Sequence, residues 1–340
     1  MDTMDTLVCV KPGHLQLMQR PLPPRGAGEV LLKPVRIGIC GTDYHIYEGN
    51  QPFLSYPRVM GHELAVEVVE ALPESGFVTG QICVVNPYLS CGRCIACRQG
   101  KPNCCVNIAV LGVHRDGGMT GLLSLPAQNL IATEGLSADE CAMVEFLAIG
   151  AHAVRRGVVG PNDRALVIGA GPIGLGVGLF ASLSGAAVTM MDREARRLDV
   201  ASTLFPCTTG ILAGEGAASA ISEGTQGEGF DIVFDATGSR QSIEDAFSYV
   251  ANGGRYVLVS VVKGQIAFTD ADFHRKEISL MGSRNATMED FARVLASMAE
   301  GHVPAARWIT HRTTLRDAVE DLPRWATDRA GLIKAVIDIA

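Results

Sequence analysis

The feature that most narrows the fold of this chain is an uncharged run, Ala165 to Met191, interrupted by Gly169-Ala170-Gly171-Pro172-Ile173-Gly174. A run of that length could span a bilayer, but its glycines and proline break it into short pieces. Residues 165–169 read as a strand, 173–184 as a helix closed by Gly185, and 187–191 as a second strand. Strand, glycine turn, helix and strand in that order build a parallel sheet buried on both faces. Further strands at 230–235 and 255–260 continue the alternation, so residues from about 164 to 280 are expected to form an α/β, doubly wound sheet covered by helices.

The glycine spacing fits G-x-G-x-x-G between a strand and a helix, the context that gives the motif its meaning. Gly169 permits the tight turn, Gly171 lets backbone approach a pyrophosphate, and Gly174 lets helix and strand pack closely. Pro172 and Ile173 open the helix, whose N-terminus offers N–H groups and a positive dipole end to phosphates. The next strand runs into Asp192, where a carboxylate can accept from both adenosine ribose hydroxyls and repel a 2′-phosphate. The expected cofactor is therefore NAD, held by these residues with Arg193 and Arg197. An arginine beside the ribose can also accommodate a 2′-phosphate, which leaves NADP open at this stage.

Ten cysteines in a chain whose first residues carry aspartates and no basic region read better as metal ligands than as a disulfide framework. A cytoplasmic location follows as the default expectation. Cys91, Cys94, Cys97 and Cys105 form a compact thiolate set that would close a tetrahedral shell and exclude substrate, the pattern of a structural zinc. Cys104 competes with Cys105 on position, though the spacing favours Cys105. Cys9, Cys83, Cys141 and Cys207 carry no pattern and read as small buried hydrophobes.

A second donor set is spread more widely. Cys40, His62 and a carboxylate, Glu63 or Glu145, offer the sulfur, nitrogen and oxygen ligands of an open catalytic zinc site. The two carboxylates can alternate on the metal as water and substrate exchange. Thr42 and His45 follow Cys40 at spacings that suit a proton relay from a bound alcohol to solvent; the alternative for Thr42 is a turn residue bonding its own backbone.

Hydrophobic residues make up 47% of the 340 and charged residues 19%, a globular composition with ample core. The formal net charge of -7 argues against a nucleic-acid partner. The first 150 residues look rich in β-structure, with short apolar runs such as Val30–Leu32 and Leu64–Val66 between glycines and prolines. An amphipathic helix is expected at 288–300, followed by a tail that packs back on the first domain.

With both cysteine sets and the glycine fingerprint in hand, the chain resembles the zinc-dependent medium-chain dehydrogenases, the superfamily of alcohol, sorbitol and threonine dehydrogenases, over essentially its whole length. The resemblance implies a GroES-like β-barrel catalytic domain (1–152), a Rossmann domain (153–286) and a C-terminal return (287–340), with a cleft between domains. It implies hydride transfer to NAD, two zinc ions per chain and a homodimer or homotetramer. It assigns Cys40, His62 and Glu63 to the catalytic zinc, with Glu145 as the exchangeable carboxylate, and Thr42 and His45 to the relay. Phe146 stands where the family usually has proline, so the backbone there can differ.

A closer likeness lies in Gly49-Asn-Gln-Pro-Phe53, Gly112-Val-His-Arg-Asp-Gly-Gly118, Gly150-Ala-His-Ala-Val-Arg-Arg156, Phe273-His-Arg-Lys-Glu277 and Gly282-Ser-Arg-Asn-Ala286. These resemble bacterial L-galactonate 5-dehydrogenase-like, sugar-acid members. The expected substrate is then an aldonate, with polyol or L-threonine oxidation as the alternative and a non-catalytic zinc- and nucleotide-binding relative as a third reading. Arg284, Asn285, His114 and Arg115 are candidates for the substrate carboxylate and hydroxyls; Arg284 could equally hold a cofactor phosphate or a domain interface.

Overall fold

The structure is a computed structural model that describes residues 2–52, 54–206, 209–329 and 331–339. Phe53 and Cys207 lie outside the described residues. The chain divides into two compact units, one of residues 1–145 with 294–340 and one of residues 146–293.

The second unit holds a six-stranded parallel sheet. Its order is Thr209–Leu212, Ala187–Asp192, Arg164–Ile168, Phe230–Asp235, Val250–Leu258 and Ser279–Gly282. The chain starts in the middle, winds outward to one edge, then returns to wind outward to the other, which is the doubly wound arrangement. Ala165, Leu166, Val167, Val188 and Met190 are almost wholly buried. The uncharged run is therefore the interior of a sheet covered on both faces. The strand ending at Leu258 starts five residues earlier than its sequence suggests, because Val250 already pairs with Phe230 ahead of an irregularity that takes up Asn252-Gly253-Gly254 before Arg255 pairs with Ile232; paired glycines read locally as a turn.

The first unit carries a sheet in the order Leu130–Ala132, Ile82–Val85, Glu63–Glu70, Glu29–Ile39, Lys334–Asp338 and Ile309–Thr314. Leu123–Pro126 adds to Glu29–Ile39. The tail thus returns as an inner strand, antiparallel to Glu29–Ile39 with Ala335 opposite Ile39. On the other side of Glu29–Ile39, Gly38 pairs with Glu63. A short pair, Tyr88–Leu89 with Ala109–Val110, closes the loop that holds the four clustered cysteines. Among the described residues no helix is long and apolar enough to cross a membrane.

The β-rich reading of the first 150 residues misses one long helix, Ala138–Arg156. Its start is signalled by Ser137-x-x-Glu140: the Glu140 carboxylate accepts from the Ser137 amide and hydroxyl, and the Ser137 hydroxyl accepts from the Glu140 amide. That is a capping box. Beyond it the helix is apolar on most sides, from Ala142 through Ala148, so no amphipathic period marks it. Phe146 lies within this helix and is fully buried.

Candidate active site

Cys40 ends the strand Glu29–Ile39 and caps the short helix Gly41–Tyr47. His62 and Glu63 sit at the start of Glu63–Glu70, beside that strand. One ligand atom each from Cys40, His62 and Glu63 lies within 4.8 Å of the others. Gly38 makes this possible, since a Cβ there would stand 2.1 Å from Glu63 Oε2. His62 Nδ1, Glu63 Oε1 and Glu145 Oε2 are buried without a hydrogen-bond partner among the described residues. A thiol, an imidazole and a carboxylate converging here, with buried nitrogen and oxygen atoms left unbonded, fit a zinc ion with an open position.

Glu145 stands apart from that triple. It is 2% exposed, and the Tyr88 hydroxyl donates to its Oε1. Burial, then the nearby Glu63 charge, push its carboxyl up to about 7 against the opposing pull of His62, the Tyr88 bond and Lys334. The structure thus gathers Cys40, His62 and Glu63, and Glu145 lies outside that triple.

Three side chains absent from the sequence expectation support the cluster. Asp43, fully buried, accepts from the Cys40 amide at 2.9 Å and the Gly61 amide at 3.2 Å, and its Oδ1 lies 3.9 Å from His62 Nδ1. Burial raises the Asp43 carboxyl, while the His62 charge and these amides draw it back. Burial would lower the His62 imidazole, but the charges of Asp43, Cys40 and Glu145 outweigh it and raise it. The Asp43 carboxylate thus acts on His62 through its charge, at 3.9 Å and without a hydrogen bond. Lys334, 1% exposed, forms an ion pair with Glu63, and Tyr88 holds Glu145. Asp43 could have been read from its place three residues after a helix cap. Lys334 is the one charge in the apolar run 332–337, a signal of a buried, partnered lysine. Tyr88 has no signal of its own in the sequence.

Thr42 lies inside the helix Gly41–Tyr47 and not in a turn. Thr42 and His45 share a face, three residues apart. His45 is more than half exposed, with Nδ1 3.5 Å from Glu48 Oε2, and Glu48 also accepts from Arg329 at 2.8 Å. This face therefore runs from a half-buried hydroxyl to an imidazole in contact with solvent.

The four-cysteine set is equally compact. Ligand atoms of Cys91, Cys94, Cys97 and Cys105 lie within 4.8 Å of one another, with Cys94 Sγ 3.4 Å from Cys97 Sγ and 3.9 Å from Cys105 Sγ. Cys104 is exposed and outside the set. Amides of Cys97 and Val106 bring the Cys94 thiol down to about 6, and those of Arg93 and Cys94 lower Cys91. Desolvation and the neighbouring thiols push Cys97 up to about 11. Four sulfurs this close cannot all ionise unless a cation joins them, and the donor set fits a closed zinc site. Cys9, Cys83 and Cys141 are buried, as small hydrophobes should be.

In the second unit the fingerprint opens the helix Pro172–Leu183, whose cap, Gly171, supplies no side-chain bond. Gly169 takes φ +98, and a Cβ on Gly174 would lie 1.6 Å from Gly169 O. A Cβ on Gly171 would meet only Arg197 Nη1, at 3.9 Å, so space is kept at the uncapped amides for a phosphate pair. Asp192 ends its strand and accepts from the Ala170 amide at 2.7 Å and the Glu194 amide at 2.9 Å, binding the acid to the glycine turn. Arg197 Nε is 3.4 Å from Glu194 Oε2, and Arg193 is exposed. These residues fit a nicotinamide dinucleotide. Of the substrate candidates, His114 and Arg115 belong to the first unit and Arg284 and Asn285 to the second; His114 Nδ1 accepts from the Val110 amide at 3.1 Å.

Known proteins are similar throughout. Residues 26–135 match the family described as alcohol dehydrogenase GroES-like domain, and residues 172–300 that described as zinc-binding dehydrogenase. L-galactonate-5-dehydrogenase of Escherichia coli is 40% identical over 338 residues, 99% of this chain and 99% of that protein. Sorbitol dehydrogenase of Halalkalibacterium halodurans is 30% identical over 90% of both chains. Among solved structures, the short chain alcohol dehydrogenase RspB of Escherichia coli, complexed with NADH, superposes with a TM-score of 0.92 at 28% identity, covering 99% of this chain and 100% of that one.

Proposed function

The chain belongs to the zinc-dependent, GroES-like alcohol dehydrogenase family, and from that premise we propose that it oxidises a secondary alcohol of a sugar acid, L-galactonate or a close aldonate, with NAD as acceptor. The observation that carries the substrate is the 40% identity to L-galactonate-5-dehydrogenase along the full length. The presence of Cys40, Thr42, His45, His62, Glu63 and Glu145 together argues against a relative that has lost its chemistry.

When bound, a zinc ion supplies a Lewis acid for the alcohol oxygen and NAD accepts the hydride. Cys40, His62 and Glu63 would hold the ion, with the Asp43 carboxylate beside His62. Thr42 would accept the proton of the substrate hydroxyl while passing its own on, through the nicotinamide ribose, to His45 at the exposed end of the same helical face, and from there to water. Gly169, Gly171, Pro172, Ile173 and Gly174 would receive the pyrophosphate, and Asp192 would accept from the adenosine ribose hydroxyls. Arg193 and Arg197 flank it. A second zinc in the Cys91, Cys94, Cys97 and Cys105 lobe fastens that loop, giving two per chain. Arg284, Asn285, His114 and Arg115 are the candidates for substrate carboxylate and hydroxyls, and the chain works in the cytoplasm as a homodimer or homotetramer.

NAD reduction by the purified protein is compared across aldonates, the matching polyols and L-threonine. Preference for L-galactonate or a related aldonate supports the proposal. Preference for a polyol, which the sorbitol dehydrogenase likeness favours, keeps the mechanism and replaces the substrate.

A further inference from the structure

Glu145 is a buried carboxylate outside the ligand triple, yet it is near it. A Cβ placed on Gly38 would touch both the Glu63 carboxylate and Ala142 O, and Glu145 is one helical turn beyond Ala142, on the same side of the helix. One Glu145 oxygen has no hydrogen-bond partner. A charged oxygen left so in the interior is costly, and the nearest remedy is to swing onto the metal. The other oxygen is held by Tyr88.

Tyr88 is well placed to hold it. The ring is 7% exposed, the Tyr88 amide donates to Asn86 Oδ1 at 3.1 Å, and Asn129 Nδ2 donates to Asn86 O at 2.9 Å. The residue also pairs with Val110 at the base of the four-cysteine loop. Its hydroxyl is thus anchored by backbone that does not belong to the cluster.

We propose that Tyr88 is a positioning residue that tethers Glu145 off the catalytic metal, leaving Cys40, His62 and Glu63 as the protein ligands and one position open. This rests on the zinc reading of the cluster. Released from Tyr88, Glu145 becomes a fourth protein ligand, binding the ion more tightly and closing the position that substrate needs. Because Tyr88 stands on the strand that closes the cysteine loop, the tether also links the order of that loop to the ligand set of the other metal.

The test uses full-length protein with cobalt(II) exchanged into the Cys40 cluster and zinc kept in the cysteine lobe. Tyr88→Phe is expected to shift the visible cobalt bands and to tighten metal binding about tenfold against a chromophoric chelator, within the range by which outer partners tune affinity. The double variant Tyr88→Phe with Glu145→Gln returns both to wild type, which a merely structural tyrosine would not do. Glu145→Gln alone leaves the bands unchanged. Unchanged bands in Tyr88→Phe, weaker metal binding in it, or bands altered by Glu145→Gln alone would overturn the tether. Wild-type protein that shows no cobalt bands overturns the zinc reading itself, and the tether with it.

Discussion

Lys334 and Glu63, from opposite ends of the sequence, form an ion pair in the interior of the first unit, their side chains 1% and 0% exposed. The pair exists because Lys334–Asp338 and Glu63–Glu70 lie on either side of Glu29–Ile39. Lys334→Met removes the counter-charge, and breaking a buried pair from one side costs about 3–5 kcal/mol. Denaturant unfolding of the metal-free protein should show that loss, and zinc should recover a large part of it, because the ion then compensates Glu63. Equal losses with and without zinc would mean that Glu63 does not face the metal.

Gly171 and Gly174 separate space for the cofactor from space needed by the fold. Gly174→Ala forces a methyl into Gly169 O and should lower both melting temperature and NADH binding. Gly171→Ala meets no protein atom closer than 3.9 Å, so its melting temperature should match wild type while NADH affinity, read by fluorescence titration, falls about tenfold or more, the cost of misplacing backbone at a phosphate.

Thr42→Val keeps the shape of residue 42 and removes its hydroxyl. If that hydroxyl starts the proton path to His45, kcat falls about 100-fold, the scale of general acid–base contributions, with NADH binding and zinc content unchanged. Wild-type turnover across pH would exclude the role.

Asp290 is a buried carboxylate that accepts from His152 Nδ1 at 2.8 Å, Arg155 Nε at 2.7 Å and the Thr287 amide at 2.8 Å. Burial alone would raise its carboxyl, but the bonds from His152, Arg155 and Thr287 hold it well below the usual range. A carboxyl depressed in the folded state stabilises fully above its unfolded value, about 4, and loses that contribution as the pH falls further. Asp290→Asn should therefore cost about 3 kcal/mol near pH 7, and the gap to wild type should narrow steadily below pH of about 4 in urea titrations.

The four-cysteine lobe should hold its own ion. Cys97→Ser is expected to lower zinc from two per chain to one and to make the loop between Tyr88 and Val110 the first site of proteolytic cleavage, since few apolar contacts hold it once the ion is gone. Two zinc ions retained in this variant would place the second ion elsewhere.

What could be read in the sequence was what short-range geometry dictates. Gly169, Gly171 and Gly174 are spaced by the turn they build, and Cys91, Cys94 and Cys97 by the reach of one loop. Tyr88 was not legible as a support, because it meets Glu145 through tertiary packing that local spacing does not encode, whereas Asp43 left the trace of its local bond to the Cys40 amide and Lys334 showed only that a buried partner was needed. Lys334 opposes Glu63 only once the tail has entered the sheet beside Glu29–Ile39. The helix Ala138–Arg156 was hidden for a different reason: a segment buried nearly all round shows no period, and only the Ser137–Glu140 box announced it.

The inner position of Lys334–Asp338 sets a schedule on the ribosome. Glu29–Ile39, Cys40, His62 and Glu63 emerge early, then all of residues 146–293 must be translated before the strand that neutralises Glu63 exists. Until then the nascent chain exposes an unpaired strand edge, the kind of template on which chains pair with one another. A message truncated after the second unit would leave that edge open for good, so quality control should find such fragments easier to recognise than point variants of the site.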